Sequence, residues 1–416
     1  MSVLQQTNPG DSKRTQPHLE WFLLVISYLL AVIGVASIAV ATFDPDKGTD
    51  LSLLNYIVNS NTASWQSIFI LASLIVVFVV IAIPIDFYRS RARLIYWAVL
   101  LLLLFTLAAA TAISGVSAWL RVGWGRTIQP CEFAKLSILI ILAKELSAKE
   151  KPMGTFKDFM MTGITFGAPA LVTLAQGETG TVIVMGFMFL VMIFFAGVDI
   201  RIVLSLVFFV LLAVGFFFGY ALLSGSTDYR VLRIISFLDP QQYRESAGYQ
   251  ILYSQMAIGS GGLRGIGQFV IGSISQLDYV PEDHTDFIFS TIGESSGFIG
   301  CCFILFLYLI LLLRMLYLAR YTLDKFGRLI IIGVMAMFFL HIFENVAMTV
   351  GLMPITGIPL PFISYGGSNF MTNIIGIALV CNVVKNRSMT SQLLYQTMVP
   401  TRKRAKKRRI RQYDVS

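Results

Sequence analysis

The chain reads as an all-α, polytopic integral membrane protein with about ten transmembrane helices and a large extracellular loop before the eighth. Composition is the first observation behind that reading: 56% of the 416 residues are hydrophobic and only 13% are charged. No soluble domain of this size has such a balance. The second is length, since apolar runs of about 17–25 residues recur, enough to cross about 30 Å of hydrocarbon as helices. The third is charge, because Lys and Arg gather in alternate turns between the runs.

Taken in order, residues 1–20 form a polar N-terminal segment. Ten spans are expected near 21–43, 66–86, 94–113, 132–147, 159–175, 181–198, 202–223, 287–312, 329–351 and 367–384. Residues 21–386 then make one membrane domain, interrupted by a long polar loop over 224–285 and followed by a basic tail over 387–416. The first run, Trp21 to Phe43, is too long for a cleavable signal peptide and has no convincing cleavage site. Cys131, Cys301, Cys302 and Cys381 lie in or beside spans, so they read as small core residues and not as a disulfide framework.

Most of the 32 Lys and Arg residues fall before the first span, after the even-numbered spans, or in the tail. The positive-inside rule therefore expects both termini in the cytoplasm and loop 224–285 outside. Net charge is +9, much of it from Arg402 to Arg411. A basic run close after a last span suits anionic lipid headgroups. Nothing else in the chain favours nucleic acid as a partner.

Several outer segments are too rich in Gly, Pro and charge for plain turns. Gly115 to Lys135 carries Trp119 and Trp124, suited to a membrane interface, and Arg121 and Arg126, suited to phosphate. Glu132 and Lys135 stand three residues apart, on one helix face, where they can pair. Glu178 is the one carboxylate of a tight turn over 176–181. Gly259 to Gly267 admits two readings, a flexible turn or a Gly-rich anion cradle with Arg264 beside it. Pro354 to Asn369 is irregular, and non-helical backbone near membrane depth survives only in protein or beside a wet cavity. Four outer segments are thus expected to converge on one polar cavity.

The densest chemistry lies in Asp278 to Ser296, where Asp278, Glu282, Asp283, Asp286 and His284 crowd the entry to the eighth span. Phe287-Ile288-Phe289 follow Asp286 at once and should hold it against apolar surface. Desolvation there raises a carboxylate's pKa and suits it to act as a base. Glu282 and Asp283 are expected to be better solvated.

These residues carry a resemblance. The sequence is similar to the SEDS proteins (shape, elongation, division and sporulation) over about Trp21 to Asn386. The blocks that carry it are Gln129-Pro130-x-Glu132-x-x-Lys135, Phe237-Leu-Asp-Pro240, Gly248-Tyr-Gln250, Ala257-Ile-Gly-Ser-Gly-Gly-Leu263, Pro281-Glu-x-His-Thr-Asp-Phe-Ile-Phe289 and Gly357-x-Pro-Leu-Pro-Phe-x-Ser-Tyr-Gly-Gly-Ser368. Ser275-Gln276-Leu277 and Thr356-Gly-Ile-Pro-Leu-Pro361 resemble the rod-shape (RodA) branch more than the division (FtsW) branch. The chain departs from the family pattern at Ala118, Cys131, Gly177-Glu178, Ile266 and Asn369. Ala118 and Ile266 stand where Arg and Lys are usual, so Arg121, Arg126 and Arg264 are the compensating cations.

The resemblance implies a peptidoglycan glycosyltransferase of the bacterial cell membrane that polymerises lipid II into glycan strands during elongation, with inversion at the donor sugar. It implies Asp286 as the catalytic base. Lys135, Glu132, Arg121, Arg126, Arg264, Glu178, His284, Ser364 and Ser368 become candidates for holding pyrophosphate and sugar. A divalent cation, Mg or Mn, would help neutralise pyrophosphate, although no ligand cluster is evident. Expected partners are lipid II, the nascent glycan strand, a class B penicillin-binding protein transpeptidase and other elongation-complex proteins. The alternatives are a division-specific polymerase, a flippase or transporter of the lipid-linked precursor, and a binding scaffold. Few charges apart from Glu344 lie deep in the spans and no internal repeat is visible, which weighs against ion-coupled transport.

Overall fold

A computed structural model of the chain describes residues 20–44, 56–58, 60–109, 118–123, 126–223, 229–245 and 248–398. Its long helices are α1 (Trp21–Ala41), α2 (Asn61–Ala82), α3 (Ile85–Ala109), α4 (Pro130–Ser147), α5 (Phe156–Ala175), α6 (Thr179–Ala196) and α7 (Ile200–Leu223). After the short α8 (Tyr229–Leu238) and α9 (Gly248–Ser260) come α10 (Ile288–Tyr321), α11 (Lys325–Thr349) and α12 (Gly367–Met398). Ten long helices therefore stand where ten spans are expected. Eight have a long apolar window. α4 carries Glu132, Lys135, Lys144 and Glu145, and only Ile200–Phe216 of α7 forms an apolar stretch, a short one.

The local chemistry explains where these helices start and stop. Ser60, Thr155 and Asp324 cap α2, α5 and α11, each side chain accepting a backbone N–H of the first turn. Pro130 opens α4 from the position where its missing N–H costs nothing. α2 stops before Pro84, and its last carbonyls find a partner in α12, where Asn382 Nδ2 donates to Val80 O at 2.7 Å and Ile83 O at 2.6 Å.

Burial sorts the bundle into centre and rim. α11 is 78% buried and α12 72%, against 22–28% for α2, α3 and α5. α11 packs on α4, α6, α10 and α12, so it is the central post. The rim helices keep their apolar faces outward, which is stable only in lipid. One end of the bundle gathers Glu20 with Arg314, Arg89 with Asp324, and Lys149 with Asp158. Those are the turns richest in Lys and Arg, so the even helix count does return the chain to one end.

The structure departs from the sequence expectation in five places. α10 continues past 312 to Tyr321, so Arg314 and Arg320 lie on its last turns and not in a loop. It also breaks at Gly297 (φ 64°, ψ −165°), a backbone that glycine alone adopts at ease. The long loop folds in part as α8 and α9, and residues 120–123 and 126–128 pair as an antiparallel ribbon, Leu120 opposite Ile128. α12 runs on to Met398, beyond the expected boundary at 386. Residues 1–19 and the Arg402–Arg411 run lie outside the described residues.

Candidate active site

The end opposite the ion pairs brings together the segments around 129, 178, 233, 286 and 355–368. Asp286 sits at the foot of α10, with Phe287, Ile288 and Phe289 each at most 3% exposed behind it. Its backbone is pinned on both sides. Asn345 Nδ2 of α11 donates to Asp286 O at 2.7 Å and to Ile358 O at 2.8 Å. Ser364 Oγ donates to Thr285 O at 2.6 Å and accepts from Leu360 N at 2.8 Å. The amide of Tyr365 donates to His284 O at 3.0 Å. The irregular strap 354–366 is therefore laced to the loop that carries Asp286.

The carboxylate faces a mixed field. Gly357 (φ 72°) lets the strap pass so close that a Cβ there would lie 3.3 Å from Asp286 Oδ2. Burial pushes the Asp286 carboxyl up to about 7. Glu282 and Glu178 push it the same way, while Arg233 and His284 oppose them. A carboxylate poised there accepts a proton readily near neutrality.

Arg233 is the functional candidate that sequence reading missed. It comes from α8, half-buried, and its Nη1 donates to Ile355 O at 3.0 Å. The same ideal Cβ at Gly357 would lie 3.9 Å from Arg233 Nη1, so guanidinium and Asp286 meet at one strap residue. The available signal was its place four residues before Phe237-Leu-Asp-Pro240.

Glu178 joins the group through Gln129, whose Nε2 donates to Glu178 Oε1 at 2.7 Å. The Gln129 amide in turn donates to Ser368 Oγ at 3.1 Å. Glu178, Gln129 and Ser368 thus tie the starts of α6, α4 and α12 together beside the site.

Asp283 overturns the expectation of a solvated neighbour. Its residue is 3% exposed, whereas Glu282 points to solvent. Burial lifts the Asp283 carboxyl to about 6, resisted by His284, whose Nδ1 lies 3.4 Å from Oδ1. Burial acts to lower His284, but the Asp283 carboxylate outweighs it and holds the imidazole above its ordinary range.

Lys135 is not at the water-facing part of the site. It is fully buried, with Nζ 2.8 Å from Glu132 Oε1 and 3.0 Å from His341 Nε2. Arg121 and Arg264 are exposed, and the Arg126 side chain is not among the described ones. The Gly259–Gly267 run differs from an anion cradle for a definite reason. Its amides at 261, 262, 265, 266 and 267 already donate to backbone carbonyls. Two of those acceptors, Glu294 O and Ser295 O, belong to α10, and Phe298 and Ile299 donate back to Gly262 O and Leu263 O. A Cβ at Gly261 would lie 1.9 Å from Gly293 O. The glycines clasp the kinked helix. Ile266, a departure from the family pattern, is 39% exposed on that clasp.

No group of three or more His, Cys, Asp or Glu suited to a metal ion occurs among the described residues.

A bundle of long apolar helices with a perturbed carboxylate under a laced polar strap defines a polytopic membrane protein, and its sequence places it in a class. Residues 18–389 match the family described as "Cell cycle protein", FtsW, RodA and SpoVE, and the chain belongs to that family. It is 33% identical over 319 residues to the peptidoglycan glycosyltransferase MrdB of Escherichia coli K12, covering 77% of this chain and 84% of that protein. Stage V sporulation protein E of Bacillus subtilis is 34% identical over 379 residues, covering 89% and 98%. Among solved structures, a chain from a study of how a peptidoglycan synthase complex coordinates polymerization and crosslinking superposes with a TM-score of 0.73 at 27% identity. That match covers 89% of this chain and 98% of the other.

Proposed function

We propose that the chain is a peptidoglycan glycosyltransferase that polymerises lipid II, with Asp286 as general base. One observation carries the reading: a carboxylate raised to about 7 stands beside a guanidinium at the mouth of the bundle. Asp286 takes the proton from the acceptor sugar's hydroxyl, that oxygen attacks the donor's anomeric carbon with inversion, and lipid pyrophosphate departs. Arg233 is the first cation for the departing charge, with Arg121, Arg126 and Arg264 as further candidates. Glu178, His284, Ser364 and Ser368 hold the loop and strap in register, and the Glu132–Lys135–His341 cluster fixes α4 against α11 behind them.

The site end faces outside and both termini lie in the cytoplasm, as the distribution of Lys and Arg argues. A class B penicillin-binding protein is the natural partner, since the structural neighbour couples polymerization to crosslinking. The basic tail binds anionic lipid. The elongation role rests on Ser275-Gln276-Leu277 and Thr356–Pro361, and relatives named RodA and FtsW both match. The test is purified protein in liposomes given labelled lipid II. Polymer supports the reading. Translocation without polymer turns it to a flippase, and neither product turns it to a scaffold.

A further inference from the structure

A cleft of about 430 Å³ opens between the starts of α5 and α7, at the end of the bundle that carries the Lys149–Asp158 ion pair. It exists because α7 packs chiefly on α6 and α8 and leaves its face toward α5 uncovered. Ile202, Leu206 and Phe209 recur at helical spacing down one wall, and Phe156 and Phe159 form the other. Ser205 turns its hydroxyl back on Arg201 O at 2.7 Å, so the α7 wall offers little polar surface below Arg201. Arg201 stands exposed at the mouth, and its guanidinium makes no ion pair or hydrogen bond among the described residues. The acids of the two helix starts are occupied. Asp158 takes Lys149 Nζ at 2.5 Å, and Asp199 accepts the Arg201 amide at 2.9 Å. Lys157, exposed beside Phe156, adds a second cation.

The cleft has the polarity of one lipid molecule. The helical rise from Arg201 to Phe209 spans about 12 Å, close to the roughly 15 Å of hydrocarbon in one leaflet. An acyl chain covers such a wall, and a phosphate at headgroup level meets the cation above it. The positive starts of α5 and α7 act in the same sense. A zwitterionic headgroup would set its own ammonium against Arg201 and Lys157. We infer that this cleft seats one anionic phospholipid of the cytoplasmic leaflet, its phosphate at Arg201 and one acyl chain along Ile202, Leu206 and Phe209. The leaflet follows from the orientation proposed above, and the site does not depend on what Asp286 does. Seated there, the lipid fills the space between α5 and α7 and braces the helix that leads into α8 and Arg233.

The experiment places the purified full chain in phosphatidylcholine liposomes that carry, in both leaflets, a phosphatidylglycerol probe with a diazirine in its acyl chain. After photolysis, mass spectrometry reads the label on each peptide. Label should concentrate on Phe156–Phe159 and Ile202–Phe209, above the exposed stretch Leu71–Phe78 of α2. Unlabelled phosphatidylglycerol should compete for it where phosphatidylcholine does not. Arg201→Gln should lower label in the cleft about fivefold, through loss of one headgroup charge, and leave α2 unchanged. Arg201→Lys should retain it. Leu206→Trp, which fills the groove with the charge in place, should lower it as well, whereas lipid held by the basic tail would not respond. If Leu206→Trp fails to fold, the Gln and Lys variants at 201 decide alone. Equal label on cleft and α2, equal competition by phosphatidylcholine, or a cleft signal indifferent to Arg201→Gln or to folded Leu206→Trp would each overturn the site. Because the probe occupies both leaflets, an inverted topology would change the leaflet and leave these outcomes untouched.

Discussion

Replacing Asp286 with Asn is the sharpest test of the site. The change is nearly isosteric, and the contacts that hold residue 286 are made by its backbone, through Asn345 Nδ2 at 2.7 Å. Neither that bond nor the Ser364 bond to Thr285 O is removed. Asp286→Asn should therefore insert, fold and bind precursor. Its stability follows from the sign of the shift. A carboxyl raised to about 7 binds its proton more tightly in the folded state than in the unfolded one. Stability from this group is thus present at low pH and lost as pH rises through that value. At pH 8 the amide removes an ionised carboxylate that costs stability, so the melting temperature should hold or rise. Catalysis moves the other way. Losing a general base costs about 10²–10⁴ in rate, roughly 3–5 kcal/mol in barrier. The wild type should lose polymerisation about tenfold per pH unit below about 7, the position of the Asp286 carboxyl. The assay is polymer formed from labelled lipid II by purified protein from pH 5.5 to 8.5, with melting measured alongside. Near wild-type polymerisation by Asp286→Asn, or a wild-type profile flat across pH 7, would refute the assignment.

Four further outcomes follow from the same geometry. Glu282→Gln removes a charge that raises Asp286, so the acid limb of the rate profile should move to lower pH with little loss at pH 8. Arg233→Ala should do the reverse, shifting the limb upward and lowering the plateau by about 10²–10³ if the guanidinium meets departing charge; an unchanged plateau would remove it from the chemistry. Lys135→Met leaves Glu132 buried without its cation and should cost about 3–5 kcal/mol in stability, much of it recovered by adding Glu132→Gln. Leu277→Cys and Leu323→Cys, made in a chain with its four cysteines replaced, report orientation. An impermeant thiol reagent on intact cells should label the first and spare the second, and the opposite pattern would invert the topology.

Some of this was legible because membranes impose a simple rule on sequence. Hydrocarbon satisfies no backbone polar group, so a crossing helix announces itself as a long apolar stretch, as eight of the ten long helices do. Charge in the turns then orders the ends. Asp286 could be read as well, because Phe287, Ile288 and Phe289 adjoin it in the chain and its desolvation is a local event. Arg233 was illegible for the opposite reason. It reaches Asp286 only through the strap at Gly357 and Ile355, more than a hundred residues away, and its place four residues before Phe237-Leu-Asp-Pro240 gives no hint of that partner. Asp283 misled because its burial comes from neighbours in space, although it sits one residue from exposed Glu282. Lys135 misled likewise, since pairing with Glu132 was visible at i, i+3 but His341 arrives from α11. The glycine run was ambiguous because free amides and amides bonded to a kinked helix read alike in sequence.

By itself, then, the sequence determined the class of protein, the order of its ten long helices, and the desolvated carboxylate at the start of the eighth span. Those follow from contacts between near neighbours or from the solvent itself. The tertiary structure alone decided which cation faces that carboxylate, which lysine is locked in the interior, and what the glycines touch. Those depend on burial and distance between segments far apart in the chain, where electrostatic strength is set by whichever atoms folding brings together.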